Sequence, residues 1–161
     1  MSWKVMTPAE VCDLMDFWIA APWPLTQEET QKLAVERFGW TIEVENGTPY
    51  LMNTVSNFTF TDVMTTDSRG RMMHLTLDIS DTIREVTEES TAFLGDAFTL
   101  MVREGSSRWG DPKNLKVKDT VSARWDVEGG ARVTFNFAPK GLSARFETPQ
   151  GAEVERKLGD R

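Results

Sequence analysis

The densest collection of chemically capable groups is a run of carboxylates, Asp78, Asp81, Glu85, Glu88 and Glu89. Crowded carboxylates can form an acid/base pair, hold a divalent cation, or meet the Lys and Arg side chains of a basic partner. The run lacks the regular Asp/Asn/Gly spacing of a calcium loop. Glu88 and Glu89 also suit a helix N-terminus, where the helix dipole favours negative charge. His74 is the single histidine, which removes most routes to a catalytic triad, a Cys/His pair or a zinc site. On the polar side of a strand it is a lone general base or, more simply, a hydrogen-bonded surface group. Cys12, the single cysteine, lies beside an apolar helical stripe with no basic neighbour to activate it. No catalytic residue, cofactor or metal is therefore assigned, and binding is expected in place of catalysis.

The elements that position these groups are marked by capping and periodicity. Thr7-Pro8-Ala9-Glu10 opens a helix with apolar Val11, Leu14, Met15, Trp18 and Ile19 on one stripe, and Pro22 and Pro24 stop it near Ala21. Thr26 to Glu29 opens a second helix that closes at Phe38-Gly39. The period then changes to two. Strands are expected at Thr41–Glu45, Tyr50–Thr54, around Phe58 and Phe60, and from Arg71 to Ile79, with Met73, Leu75, Leu77 and Ile79 inward. A long helix starts between Thr87 and Ser90 and runs to about Arg108. Lys113 to Lys118 reads as a loop, and three strands follow through Trp125, Phe135 and Phe146. The order predicts one α+β domain over residues 1–161: an antiparallel, twisted sheet of about six or seven strands, with two N-terminal helices and one long helix on one face. Residues 1–6 and 149–161 are expected to fray, although Ala152 to Leu158 can form a helical turn or two.

Composition narrows the function classes. The 161 residues carry 18 basic and 25 acidic side chains, a net charge of −7, and a pI near 4.8 disfavours nucleic acid, whose phosphates need a basic surface. Residues 1–100 hold 6 basic and 16 acidic groups, whereas the remainder holds 12 and 9. The acidic portion is either an ordinary solvated surface or one that attracts a basic partner. No stretch approaches the roughly 18 apolar residues of a membrane span, and no secretory leader is visible at the start. A cytoplasmic protein that does not engage membranes is expected.

Several segments together resemble a known family: Phe17-Trp18, Trp23-Pro24, Phe38-Gly39-Trp40, Asp96-Ala97-Phe98, Trp109-Gly110-Asp111-Pro112 and Arg124-Trp125. They resemble a group of small acidic actinobacterial proteins with a domain of unassigned function, many of them associated with genes for secreted polymorphic toxins. The resemblance spans Ala9 to Phe146. It implies an immunity-type protein, monomeric when unbound, that binds a cognate toxin 1:1 inside the producing cell and occludes its active surface, and it carries over no catalytic residue. Asp78, Asp81, Glu85, Glu88 and Glu89, with the aromatics Trp23 and Trp109, are the expected contact residues. The rival reading is an acidic secretion chaperone that holds an effector segment; a small enzyme ranks third.

Overall fold

A computed structural model describes residues 3–159. Four helices, α1 (Pro8–Ala20), α2 (Gln27–Phe38), α3 (Glu88–Trp109) and α4 (Pro149–Lys157), accompany eight strands. These are β1 (Thr41–Glu45), β2 (Thr48–Met52), β3 (Asp62–Ser68), β4 (Arg71–Asp78), β5 (Lys113–Val117), β6 (Thr120–Asp126), β7 (Arg132–Ala138) and β8 (Gly141–Glu147). All eight strands form one antiparallel sheet in the order β1-β2-β3-β4-β8-β7-β6-β5. Two four-stranded meanders therefore meet at their last strands, β4 and β8. Helix α3 makes the one long connection, from the end of β4 at the centre to β5 at the edge.

The helix starts follow from their caps. Thr7 and Thr26 each accept a hydrogen bond from the backbone three residues on, at 3.1 Å, while their own N–H groups donate to the Glu10 and Glu29 carboxylates at 2.9 Å. Thr87 and Ser90 do the same for α3. Each such cap contributes about 1 kcal/mol. Gly39, left-handed at φ 73°, ends α2.

One face of the sheet carries the core. Leu51, Val63, Leu75, Leu77, Ala123, Trp125, Val133, Phe135, Ala144 and Phe146 are buried with Val11, Met15 and Trp18 of α1 and Leu94 and Met101 of α3. Trp125 is held there by its indole N–H, which donates to the Gly110 carbonyl at 2.8 Å.

The structure corrects the expected architecture in several places. The sheet has eight strands, because Lys113–Val117 is a strand: a tight turn at Lys118, left-handed at φ 57°, folds it onto β6. Its lysines suit a sheet edge, where charge discourages pairing with another chain. Phe58 and Phe60 lie in the β2–β3 connection, which bends through left-handed Asn57 and a bond from the Phe58 N–H to Ser56 Oγ. Strand β2 begins at Thr48 because Asn46-Gly47 is a two-residue turn pairing Glu45 with Thr48. In β4 the register shifts opposite Thr66 and Asp67, so Met72 occupies the core and Met73 is the extra residue of a bulge.

That bulge seats the fourth helix, on the face opposite the other three. The Thr148 hydroxyl donates to the Met72 carbonyl at 2.8 Å, its N–H donates to the Met73 carbonyl at 2.9 Å, and the same hydroxyl caps α4 by accepting from the Gly151 N–H. The chain from Pro149 to Lys157 is thus a docked helix, not a frayed end, and residues 158 and 159 are also described. At the other terminus Val5 bridges Ser80, Met6 donates to the Ile79 carbonyl at 2.9 Å and Lys4 donates to Asp81 Oδ2 at 2.7 Å, so residues 4–6 are tied down as well. The expectation of fraying at residues 1, 2, 160 and 161 lies outside the described residues.

Candidate functional site

The carboxylate run divides between two places. Asp78 ends β4 on the sheet face away from the core, opposite Asp62 on β3 and Ser143 on β8. Burial raises its carboxyl above the usual range, and the Asp62 charge adds to the effect. Asp81, Glu85 and Glu89 line a separate groove of about 710 Å³ with Trp3, Thr59 and Arg84. Glu88 and Glu89 occupy the first turn of α3, where they complement its dipole. Among the described residues no group of three or more His, Cys, Asp and Glu side chains is placed to hold a metal ion.

The two aromatics are half-buried and committed. The Trp23 indole N–H donates to the Trp18 carbonyl at 2.7 Å, and its ring packs 5.7 Å from that of Phe146. Trp109 donates to Asp16 Oδ1 at 2.9 Å and sits edge-on to Trp125 at 5.2 Å. Neither lines the groove that holds Asp81, Glu85 and Glu89.

Beside that groove the β2–β3 connection presents a large apolar side chain to solvent. Phe60 is 56% exposed, and the neighbouring Thr59 lines the groove and accepts a bond from the Thr82 N–H at 3.4 Å. An acidic surface is thereby joined to an unburied aromatic.

A second constellation escaped the sequence reading. On the sheet face opposite the core, strand pairing aligns two rows of side chains. One row runs Thr66, His74, Glu147, Arg132, Asp126, and the next runs Met64, Thr76, Arg145, Thr134, Arg124, Lys113. Neighbours within a row stand about 5 Å apart, within reach of direct interaction. Helix α4 lies over one end of these rows, with Glu155 Oε1 3.6 Å from an Arg145 Nη. Between α4 and the sheet is an open groove of about 510 Å³, floored by Arg124, Thr134, Asn136 and Arg145 and backed by Arg132 and Glu147. Arg132 is 2% exposed, ion-paired to Asp126 at 3.2 Å, and Glu147 is 5% exposed.

Four buried side-chain atoms among the described residues lack a hydrogen-bond partner: His74 Nδ1, Arg145 Nε, Glu147 Oε2 and Gln150 Oε1. All four belong to β4, β8 or the first turn of α4, the elements that meet at this end of the groove. Burial raises the Glu147 carboxyl, with Arg145 and then Arg132 opposing it less strongly. Burial lowers the His74 pKa, reinforced by Arg145, which favours the neutral imidazole. The signal that could have found this site is the polar half of each late strand, Arg124, Thr134, Asn136, Arg145 and Glu147, alternating with Ala123, Trp125, Phe135 and Phe146.

Fold and site together define an α+β protein with a helix-covered core face and a polar, charge-rich opposite face. The chain belongs to DUF6301, a family of unknown function, whose family model matches residues 9–148. The matched span corresponds closely to the one over which the sequence resembled a family of unassigned function. Searches of curated proteins and of solved structures found no match. No helix among the described residues is long and apolar enough to cross a membrane.

Proposed function

We propose that this protein is an immunity-type protein of the cytoplasm that binds a secreted toxin domain one-to-one and occludes its active surface. The supporting observation is the acidic groove with exposed Phe60 next to its lining residue Thr59. An aromatic anchor within a charged rim is the arrangement that concentrates binding energy in protein interfaces. The carboxylates Asp81, Glu85 and Glu89 would speed encounter with a basic partner and disfavour acidic ones. Trp23 and Trp109, with their N–H groups already bonded, act here as supports of the core and less as contacts.

Co-expression with candidate toxin domains from its gene neighbourhood tests the reading. Restored growth and a purified 1:1 complex are expected. Phe60→Ala and the charge reversal Glu85→Lys should each weaken the complex at least about tenfold. No complex and no rescue would reject the proposal. The chaperone reading draws support from β1, an edge strand exposed along its whole length that could pair with an extended effector segment. A stable dimer in light scattering, with binding confined to an unfolded segment, would favour it.

A further inference from the structure

The N-terminal segment, α1, the end of α2 and the β2–β3 connection surround an open groove of about 580 Å³, within the range of small-molecule sites. Its floor is apolar. Leu14, Trp40 and Phe58 are buried there beside half-buried Phe38, whose ring packs 5.0 Å from that of Trp40.

Two nearly buried side chains bring unpartnered polar groups to this floor. Asn53 is 7% exposed; its backbone bonds Thr61 and Ser56, but its side-chain amide bonds nothing among the described residues. Trp40 is 4% exposed, and its indole N–H finds no acceptor there either, whereas those of Trp23, Trp109 and Trp125 all have one. Unlike the orphaned atoms of His74, Arg145, Glu147 and Gln150, these are not sealed off: each keeps accessible surface in a side chain that lines the groove. Buried polar groups in folded proteins nearly always have a partner. The fitting occupant accepts from Asn53 Nδ2 and Trp40 Nε1 and donates to Asn53 Oδ1, which an amide group can do.

The charged residues on the rim narrow the chemistry further. Of the four, three are engaged: Lys4 Nζ donates to the Asn57 carbonyl at 2.7 Å, Glu10 accepts from the Thr7 N–H, and Asp13 pairs with Arg108, which Asp16 and Glu104 share. The fourth, Arg37, lies over the Phe17 and Phe38 rings with no ion pair among the described residues. One guanidinium beside Glu10 and Asp13 suits a singly charged carboxylate, since those two carboxylates oppose a multiply charged phosphate.

We propose that this groove binds a free N-acyl α-amino acid with an apolar side chain, which rests on the aromatic floor while the acyl amide meets Asn53 and Trp40 and the carboxylate meets Arg37. Lys4 and Phe58 line this groove and their neighbours Trp3 and Thr59 line the acidic one, so the two sites are adjacent but share no residue. The test below does not depend on the toxin reading.

The ¹⁵N-labelled chain is titrated with the N-acetyl derivatives of leucine, phenylalanine and tryptophan at about 10 mM, enough to occupy a millimolar site. The readout is the Asn53 side-chain amide signal, assigned by its loss in Asn53→Ala. At least one derivative should shift it saturably. The same compound with its carboxylate amidated, or with its acylamino group removed, should bind at least about tenfold more weakly. Asn53→Ala removes an amide that bonds nothing within the fold, so it should weaken binding by a similar factor, followed on the tryptophan indole N–H signals, with the melting temperature little changed. Arg37→Gln, on an exposed side chain, should do the same and keeps the test open if the Asn53 variant unfolds. No response to any of the three compounds would mean that the groove holds only water and would overturn the proposal. Undiminished binding by the analogues or by a folded variant would overturn it as well. So would a peptide ending in the same residue that binds more than about tenfold better than the free compound, since a chain terminus would then be the occupant.

Discussion

Two glycines in α3 allow the same substitution to be tried in two different spaces. A Cβ on Gly95 would meet the Phe137 ring at 3.6 Å, an ordinary contact, whereas a Cβ on Gly105 would stand 2.9 Å from two atoms of the Trp125 indole and 3.1 Å from Trp109. Replacing an interior helical glycine by alanine gains about 1 kcal/mol of helix propensity at either position. At Gly105 the rings cannot easily yield. Trp125 is anchored to the Gly110 carbonyl at 2.8 Å and Trp109 to Asp16 at 2.9 Å. Overpacking costs about 1–3 kcal/mol, and straining one of these bonds adds about 1 kcal/mol. Gly95→Ala should therefore stabilise the fold by up to about 1 kcal/mol, and Gly105→Ala should destabilise it by about 1–3 kcal/mol. For a chain of this size the two melting temperatures should lie about 5–10 °C apart. Urea denaturation followed by tryptophan fluorescence, with the thermal melt as a second reading, measures both. If Gly105→Ala proves as stable as Gly95→Ala, the claim that Trp125 and Trp109 hold the close approach of α3 is wrong.

Burial pushes the Cys12 thiol from its ordinary 9.0 up to about 12, against a weaker pull from Arg108. Above pH 9 the unfolded chain then loses its thiol proton while the folded chain keeps it, so stability present below pH 9 should decline toward pH 12, by up to about 1.4 kcal/mol per pH unit. The decline should be shallower in Cys12→Ala, and a thiol reagent at pH 8 should label native protein only after denaturant is added. Arg108 joins α1 to α3 through Asp13 at 2.7 Å, Asp16 at 2.8 Å and Glu104 at 2.8 Å. Arg108→Gln leaves three carboxylates without their shared cation and should cost about 1–2 kcal/mol in urea denaturation; added salt should erode the wild type more than the variant. An equal salt response in both would show that the cluster adds nothing to stability.

Local chemistry makes much of the secondary structure legible. The caps at Thr7, Thr26 and Thr87, the Asn46-Gly47 turn and the alternation through Trp125, Phe135 and Phe146 each act over a few residues, and each element forms where that signal lies. Lys113–Val117 fails the same reading because nothing within it announces a strand; its pairing with β6 supplies the hydrogen bonds. Met72 and Met73 exchange sides for a similar reason, since a bulge shifts every side chain beyond it to the other face and only the partner strand fixes where it falls. Helix α4 is short and polar, and it depends on Thr148 reaching the carbonyls freed by that bulge.

The candidate sites divide along the same line. Asp81, Glu85 and Glu89 are near one another in the chain and remain near one another in space, so the sequence could mark them as a group. Arg124, Arg132, Arg145 and Glu147 lie on three strands, and in a linear reading each is one polar residue among many. The sequence by itself determined that these positions would sit opposite an apolar row, because side chains alternate along a strand. Only the tertiary structure decided that His74, Glu147 and Arg132 would share one row beneath α4. That row depends on β4 pairing with β8, residues more than sixty positions apart in the chain, a pairing set by long-range hydrogen bonding and core packing and not by any local preference.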